Sequence, residues 1–452
     1  MKFSNRFKKL FLAGFVLLLS LPTFATDGYF GLGYGARQKG LAGAGIGYYR
    51  ASLINANPAG YGFLDKSFSV GVALFSPIRQ YTVVGNPSGL PGTFGLTPGT
   101  VESETNIFVI PNFSGNWRID EKNAFAVSIF GNGGMNTDYP SRTFHDQNAE
   151  RTGVDLAQLF ANFSYSRKLS EQHSLGITGI LGYQRFETSG LSNFAPFSSD
   201  ATLLTNNGDD NSFGVGFKIG YMGTLTDGLS LGVVYQSKIF MSKFEDYAGL
   251  FAEQGAFDIP ASWAVGLVYE PSEKLRLLFD VKQILYSGVP AIANPIDARA
   301  LPPAFLNPGG DPNNPMDYTP NPNYVPLGAD NGSGFGWEDM LTFKVGAEYE
   351  VNEKWMVRGG FSYGKQPVPE SEVVFNILAP GIIENHLALG FSRTLNNNKR
   401  IDFSFNYAFN NSVTGFNPFD FDAAQAMQGN FVPNQTVKLE MKQFDFEVNF
   451  VF

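Results

Sequence analysis

Arg400-Ile401-Asp402-Phe403-Ser404-Phe405-Asn406-Tyr407-Ala408-Phe409-Asn410 is the stretch that decides the fold. Ile401, Phe403, Phe405, Tyr407 and Phe409 share one parity; Arg400, Asp402, Ser404, Asn406 and Asn410 share the other. An extended chain sends successive side chains to opposite faces, so this segment is a strand with one apolar and one polar surface. The apolar face is almost wholly large and aromatic, which suits lipid and its interfacial belts better than the core of a soluble sandwich.

The same alternation recurs through the chain. Phe213, Val215, Phe217, Ile219 and Tyr221 oppose Ser212, Gly214, Gly216, Lys218 and Gly220, and Leu341, Phe343, Val345, Ala347 and Tyr349 oppose Thr342, Lys344, Gly346 and Glu348. The last strand sets Phe444, Phe446, Val448, Phe450 and Phe452 against Asp445, Glu447 and Asn449. Tight polar linkers at 120–123, 170–173, 226–228, 272–274, 352–354 and 396–399 alternate with longer connections at 135–154, 190–211, 246–256, 287–337, 366–381 and 414–435. Short turns on one side and long loops on the other are the pattern of an outer-membrane barrel, short turns periplasmic. The count gives an all-β, 14-stranded antiparallel transmembrane barrel, its first strand beginning at Lys66. The longest connection, 291–336, is crowded with Pro, Asn, Asp and Gly and reads as an external loop that buries little apolar surface. Asp209, Asp210 and Asp311 lack the ligand spacing of a calcium site and read as solvated, with no metal.

Composition agrees. Charged residues are 16%, below the ~25% usual for soluble domains, and aromatics 15%, with 44 Phe. There is no cysteine, so neither a disulfide framework nor a thiolate metal site. A net charge of −9 argues against nucleic acid as a partner. Lys2, Arg6, Lys8 and Lys9 precede an apolar run over 10–21, then Pro22 and Ala25. That is the layout of a signal peptide at 1–25 cleaved after Ala25; the run is about a dozen residues, short of the roughly 20 of a membrane-spanning helix.

Residues 26–64 do not alternate. Gly40, Gly43, Gly45 and Gly47 crowd one stretch and Asn57-Pro58-Ala59 follows. A dinucleotide fingerprint would need a βαβ context, which is missing. Small residues that let backbone approach backbone fit a compact plug in a lumen instead. On these residues the chain resembles the FadL/TodX family of outer-membrane transporters for long-chain fatty acids and other hydrophobic compounds. The Asn57-Pro58-Ala59 motif, the run from Phe213 into Asp246-Tyr247, and Trp355 through Arg358 to Pro367-Val368-Pro369 carry the likeness. Departures are the Thr26-Asp27-Gly28 start and the long insert before strand ten.

The resemblance implies a division into a signal peptide (1–25), a hatch (26–64) and a barrel (65–452). It implies ligand capture at two external loops, here carrying Phe194, Phe197, Leu203 and Leu204 on one and Leu250 and Phe251 on the other. Exposed apolar clusters mark binding surfaces, though these residues could equally pack the loops together. A carboxylate ligand would want a cation. The resemblance points to Arg185, whose parity is that of the lipid face; Lys218, Lys238, Lys344 and Arg358 have lumen parity, with Glu348, Asp280 or Asp445 as expected ion-pair partners. Gly131, Asn132, Gly133 and Gly134 interrupt strand three, and glycines inside a strand mark a bulge or kink. The resemblance makes that kink a lateral gate, with Asn57, Pro58 and Ala59 beside it.

The expected function is passive uptake of a long-chain fatty acid or related hydrophobic compound, by a monomer surrounded by outer-membrane lipid and lipopolysaccharide, with no cofactor. A polar-solute porin and an adhesin or receptor barrel are the alternatives. An outer-membrane lipase would need a nucleophile beside a base, and His145, His173 and His386 have no such company in sequence.

Overall fold

The computed structural model describes residues 27–50, 57–90, 92–307, 309–311, 313–395, 399–421 and 432–452. The expected signal peptide lies outside them. Fourteen strands make the wall: β1 (Ser67–Val84), β2 (Phe108–Arg118), β3 (Asn123–Tyr139), β4 (Thr152–Lys168), β5 (His173–Ser189), β6 (Asp210–Thr226), β7 (Leu229–Gln236), β8 (Ser262–Ser272), β9 (Leu275–Ile284), β10 (Met340–Asn352), β11 (Trp355–Gly364), β12 (Asn385–Thr394), β13 (Arg400–Phe416) and β14 (Thr436–Val451). Each pairs antiparallel with the next, and β14 returns to β1 from Ser69↔Val451 to Val84↔Thr436, closing the barrel. Closure leaves no open edge in lipid, where an unpaired backbone group would cost several kcal/mol.

The alternation read from sequence holds in the lower wall. Leu175, Ile177 and Leu181 point outward, while Ser174, Thr178 and Gln184 are buried inside. Outward rings meet across strands, Phe405 against Phe446 at 4.7 Å and Phe391 against Phe403 at 5.2 Å. Such cross-strand aromatic pairs fix register. Higher up, parity breaks. β13 slips register against β14 between Ala408 and Asn411, and beyond the bulge Val413 turns inward. With Val437, Leu439 and Met441 of β14 it makes the upper lumen apolar, whereas Asp402, Glu447 and Asn449 keep the lower lumen polar.

The long connections cap this apolar upper lumen. The 291–336 stretch departs from the expectation of a solvated loop. Ala291, Ile292, Leu301, Leu327 and Phe335 are buried in one core with Phe194, Tyr247, Phe251 and Trp337. Its middle, with the hairpin Ala304–Leu306/Tyr318–Pro320, stands out to solvent. Proline and glycine punctuate the backbone here, but the scattered apolar residues between them still find the loops' shared core.

Residues 27–50 and 57–64 lie inside the lower lumen, held by ion pairs to the wall. Arg37 donates to both carboxylate oxygens of Glu348 on β10, at 2.8 and 2.6 Å, and Tyr48 Oη adds a third bond at 2.7 Å. Lys39 bridges Asp445 (2.7 Å) and Glu447 (2.9 Å) of β14. The backbone N–H groups of Gly45 and Ile46 donate to Asp280 of β9. Asp27 accepts from Lys282 at 2.7 Å and Lys344 at 3.1 Å. Burial pushes the Asp27 carboxyl upward, but the two ammonium groups outweigh it and hold its pKa down at about 2.

Candidate functional site

Above the N-terminal segment the lumen opens into a cavity of about 430 Å³. Its floor is Tyr29 to Gly35, and Phe130, Met135, Leu156, Ala408 and Met441 give it an apolar wall. A smaller apolar pocket of about 40 Å³ sits over it among the loops. Val154 and Leu378 line the upper pocket, and their neighbours Leu156 and Ala379 line the lower cavity, so the two are stacked.

Strand β3 carries the feature that connects the cavity to the outer face. Its ladder with β4 slips between Gly131 and Gly133, the bulge that the glycine run announced. Its ladder with β2 stops at Asn112↔Phe130. The next residue of β2 is Pro111, which has no N–H to donate. Backbone contact resumes only where the N–H of Glu104 donates to Asp138 O at 2.9 Å. Residues 105–111 and 131–137 thus face each other without a ladder, and we refer to the interval as the window. The cavity's lining includes the outward-facing Val109 (64% exposed), Leu159 and Tyr183, so it runs through the wall there.

The N-terminal segment meets the window directly. The N–H of Gly134 donates to Tyr29 O and the N–H of Gly31 to Asn132 O, both at 3.2 Å. A Cβ on Gly133 would collide with Tyr29 O, so this approach requires glycine there. This corrects the expected partner of the kink. Asn57-Pro58-Ala59 instead docks lower down, on β4, β6 and β7: Asn57 Nδ2 donates to Tyr221 O of β6 (2.7 Å) and Val233 O of β7 (3.3 Å), and Ser166 Oγ of β4 donates to Ala59 O. Asn57 also caps its own short helix, accepting from Ala59 N at 3.1 Å.

Of the loop residues singled out in sequence, Phe194, Leu204, Leu250 and Phe251 converge on the upper pocket; Phe197 and Leu203 do not line it. They form no open landing surface. Phe194 is 3% exposed, Phe251 4% and Leu204 0%, because the loops bury these rings against each other. Arg185 is on the outer face, as its parity required, paired with Asp155 and Asp209, and reaches no lumenal carboxylate site. Arg358 is fully buried beneath the N-terminal segment, 3.3 Å from Glu348, away from the cavity. Of the three acids offered as partners for the lumen-parity cations, Arg358 meets Glu348; Lys344 instead pairs with Asp27 and Lys238 with Asp258. Two cavity residues went unread: Pro111, whose signal was a proline inside an apolar alternation, and Arg79, an arginine between Ile78 and Tyr81 in the upper half of β1.

A closed barrel whose lumen is filled below by its own N-terminal segment and hollow and apolar above defines an outer-membrane transport channel with an occluded pore. The chain belongs to the outer membrane protein transport protein family (OMPP1/FadL/TodX), whose model matches residues 34–442. It is therefore a transport protein of the bacterial outer membrane and not an enzyme. Solved structures share the fold at low identity. A Pseudomonas aeruginosa FadL homologue is 17% identical with a TM-score of 0.63, over 94% of this chain and 99% of that one. The Pseudomonas putida toluene transporter TodX is 18% identical at 0.62, over 94% and 99%. The Ralstonia pickettii toluene transporter TbuX is 17% identical at 0.57, over 93% and 98%. Among curated proteins none matches in sequence.

Proposed function

We propose that this protein takes up a hydrophobic molecule, a long-chain fatty acid or a related lipophile, passively across the outer membrane. The molecule enters through the loop pocket, rests in the lumenal cavity and leaves sideways through the window into the membrane, where the charged lower lumen is no obstacle. The segment 26–64 acts as the hatch of a barrel formed by 65–452. Gly131, Gly133 and Gly134 make the gate, and Phe194, Leu204, Leu250 and Phe251 the entry pocket. The observation that carries this reading is the continuity of one apolar cavity from the lumen to the lipid face beside the bulge of β3.

An apolar solute in such a path is never asked to cross the ion-paired floor, where Arg37, Lys39 and Asp27 are each paired with wall residues. A polar-solute porin would need that floor open. The test is uptake of labelled oleate, toluene and a small sugar by cells making the protein, with Ala408→Trp filling the cavity. Uptake of at least one lipophile that falls with Ala408→Trp, with the sugar excluded throughout, is expected. Sugar entry, or lipophile uptake indifferent to the tryptophan, overturns the reading.

A further inference from the structure

Arg79 differs from the paired cations of the lumen. It projects from β1 into the barrel, lines the cavity and is 3% exposed. Its guanidinium donates to the carbonyls of Asn136 on β3 and Thr105 ahead of β2, and to Asn106 Oδ1 at 3.5 Å. Those acceptors stand on the two sides of the window, so the guanidinium spans its upper part. The Phe108 ring lies 5.9 Å away.

Among the described residues no carboxylate pairs with Arg79, and its buried Nε has no hydrogen-bond partner. The acids around the opening are already committed, Asp138 to Arg151 at 2.6 Å and Asp155 to Arg185. The other cation lining the cavity, Lys39, is held by Asp445 and Glu447. Buried charges are ordinarily paired, because taking one from water alone is costly. A guanidinium with its Nε–H unused, no counter-charge and the cavity beside it has a charge-assisted hydrogen bond left to give to a carboxylate.

We infer that Arg79 reads the head group of an anionic amphipath, taking its carboxylate at the window while the hydrocarbon tail fills the cavity. The inference rests on the window being the route proposed above. A neutral lipophile of the same shape gains nothing from Arg79, so this residue sets a preference for acids over their esters.

The test compares binding of oleate and methyl oleate to the purified full-length protein in detergent, for the native protein, Arg79→Met and Arg79→Lys. The native protein is expected to favour oleate by roughly 10- to 100-fold, the range that a hydrogen bond to a charged group supports. Arg79→Met should lose that preference with methyl oleate binding unchanged, and Arg79→Lys should keep part of it. Equal losses for both ligands in Arg79→Met would make Arg79 a strut of the window and overturn the inference. If Arg79→Met does not fold, shown by heat-modifiable migration, the native protein decides: equal affinity for acid and ester overturns the inference while the route stands. Binding of neither ligand would also overturn the inference, and the route is then decided separately by the uptake test with Ala408→Trp.

Discussion

Glu348→Gln should release the N-terminal segment from the lumen. The carboxylate is fully buried and accepts from Arg37 Nε and Nη2, from Tyr48 Oη and from Arg358 Nε, with Arg276 Nη1 at 3.9 Å. Glutamine removes the negative charge that Arg37 and Arg358 share and turns one acceptor into a donor aimed at guanidinium groups. Removing one partner of a buried pair costs about 3–5 kcal/mol, because the remaining charge stays buried. Arg37 and Tyr48 belong to the N-terminal segment, so much of that cost falls on its docking. Each ~1.4 kcal/mol is a factor of ten, so the docked population falls relative to the released one by roughly two to three and a half orders of magnitude. In planar bilayers the native protein should pass little ion current, and Glu348→Gln should show frequent large openings. Adding Arg37→Gln should restore part of the closure, since contacting residues couple by about 0.5–3 kcal/mol. Native-like conductance in a folded Glu348→Gln barrel would refute the reasoning. So would a double variant whose defect is the sum of the two single ones.

Asp27 makes docking pH-dependent in a defined window. Its pKa is lowered from 3.8 to about 2, so its contribution is complete above pH ~4 and lost as pH falls through about 2. The shift corresponds to about 2 kcal/mol at ~1.4 kcal/mol per unit. Channel openings should rise between pH ~4 and ~2, and Asp27→Asn should conduct at neutral pH as the native protein does in acid; a titration unchanged by Asp27→Asn would exclude this role. Asn57→Ala removes a helix cap and donors to two strands, which should loosen residues 58–63 by about 1–3 kcal/mol. The amides of Ala59 and Gly60 should then exchange with solvent roughly 10- to 100-fold faster; unchanged protection would show that the motif does not anchor the segment.

Much of the barrel was legible because a strand's period is two and lipid demands an apolar outer face. The run from Ile401 to Phe409 showed its orientation without any neighbour. The bulge after Ala408 was not legible, since the residues on both sides of it alternate and only the partner strand reveals the slip. The glycines of β3 announced a bulge, but the missing ladder comes from Pro111 on the neighbouring strand, a pairing that one strand's sequence does not specify. The candidate site was read least well. Charged residues with lumen parity look alike in sequence, and distance alone separates Arg358, locked on Glu348, from Arg79, which pairs with no acid among the described residues. The loop aromatics were found by type, but their burial depends on loops 190–211, 246–256 and 287–337 meeting above the barrel.

The lateral route is the central claim, and a reversible stitch across the window tests it. A Cβ on Gly131 lies 2.7 Å from Ile110 Cγ2, which brings the two Cβ atoms within disulfide reach, and the chain has no native cysteine to interfere. The measurement is uptake of labelled lipophile by cells carrying Ile110→Cys/Gly131→Cys, oxidised and then reduced. The account predicts that uptake stops in the oxidised protein and returns on reduction. Equal uptake with the disulfide demonstrably formed would contradict it and send the ligand down through the lumen instead.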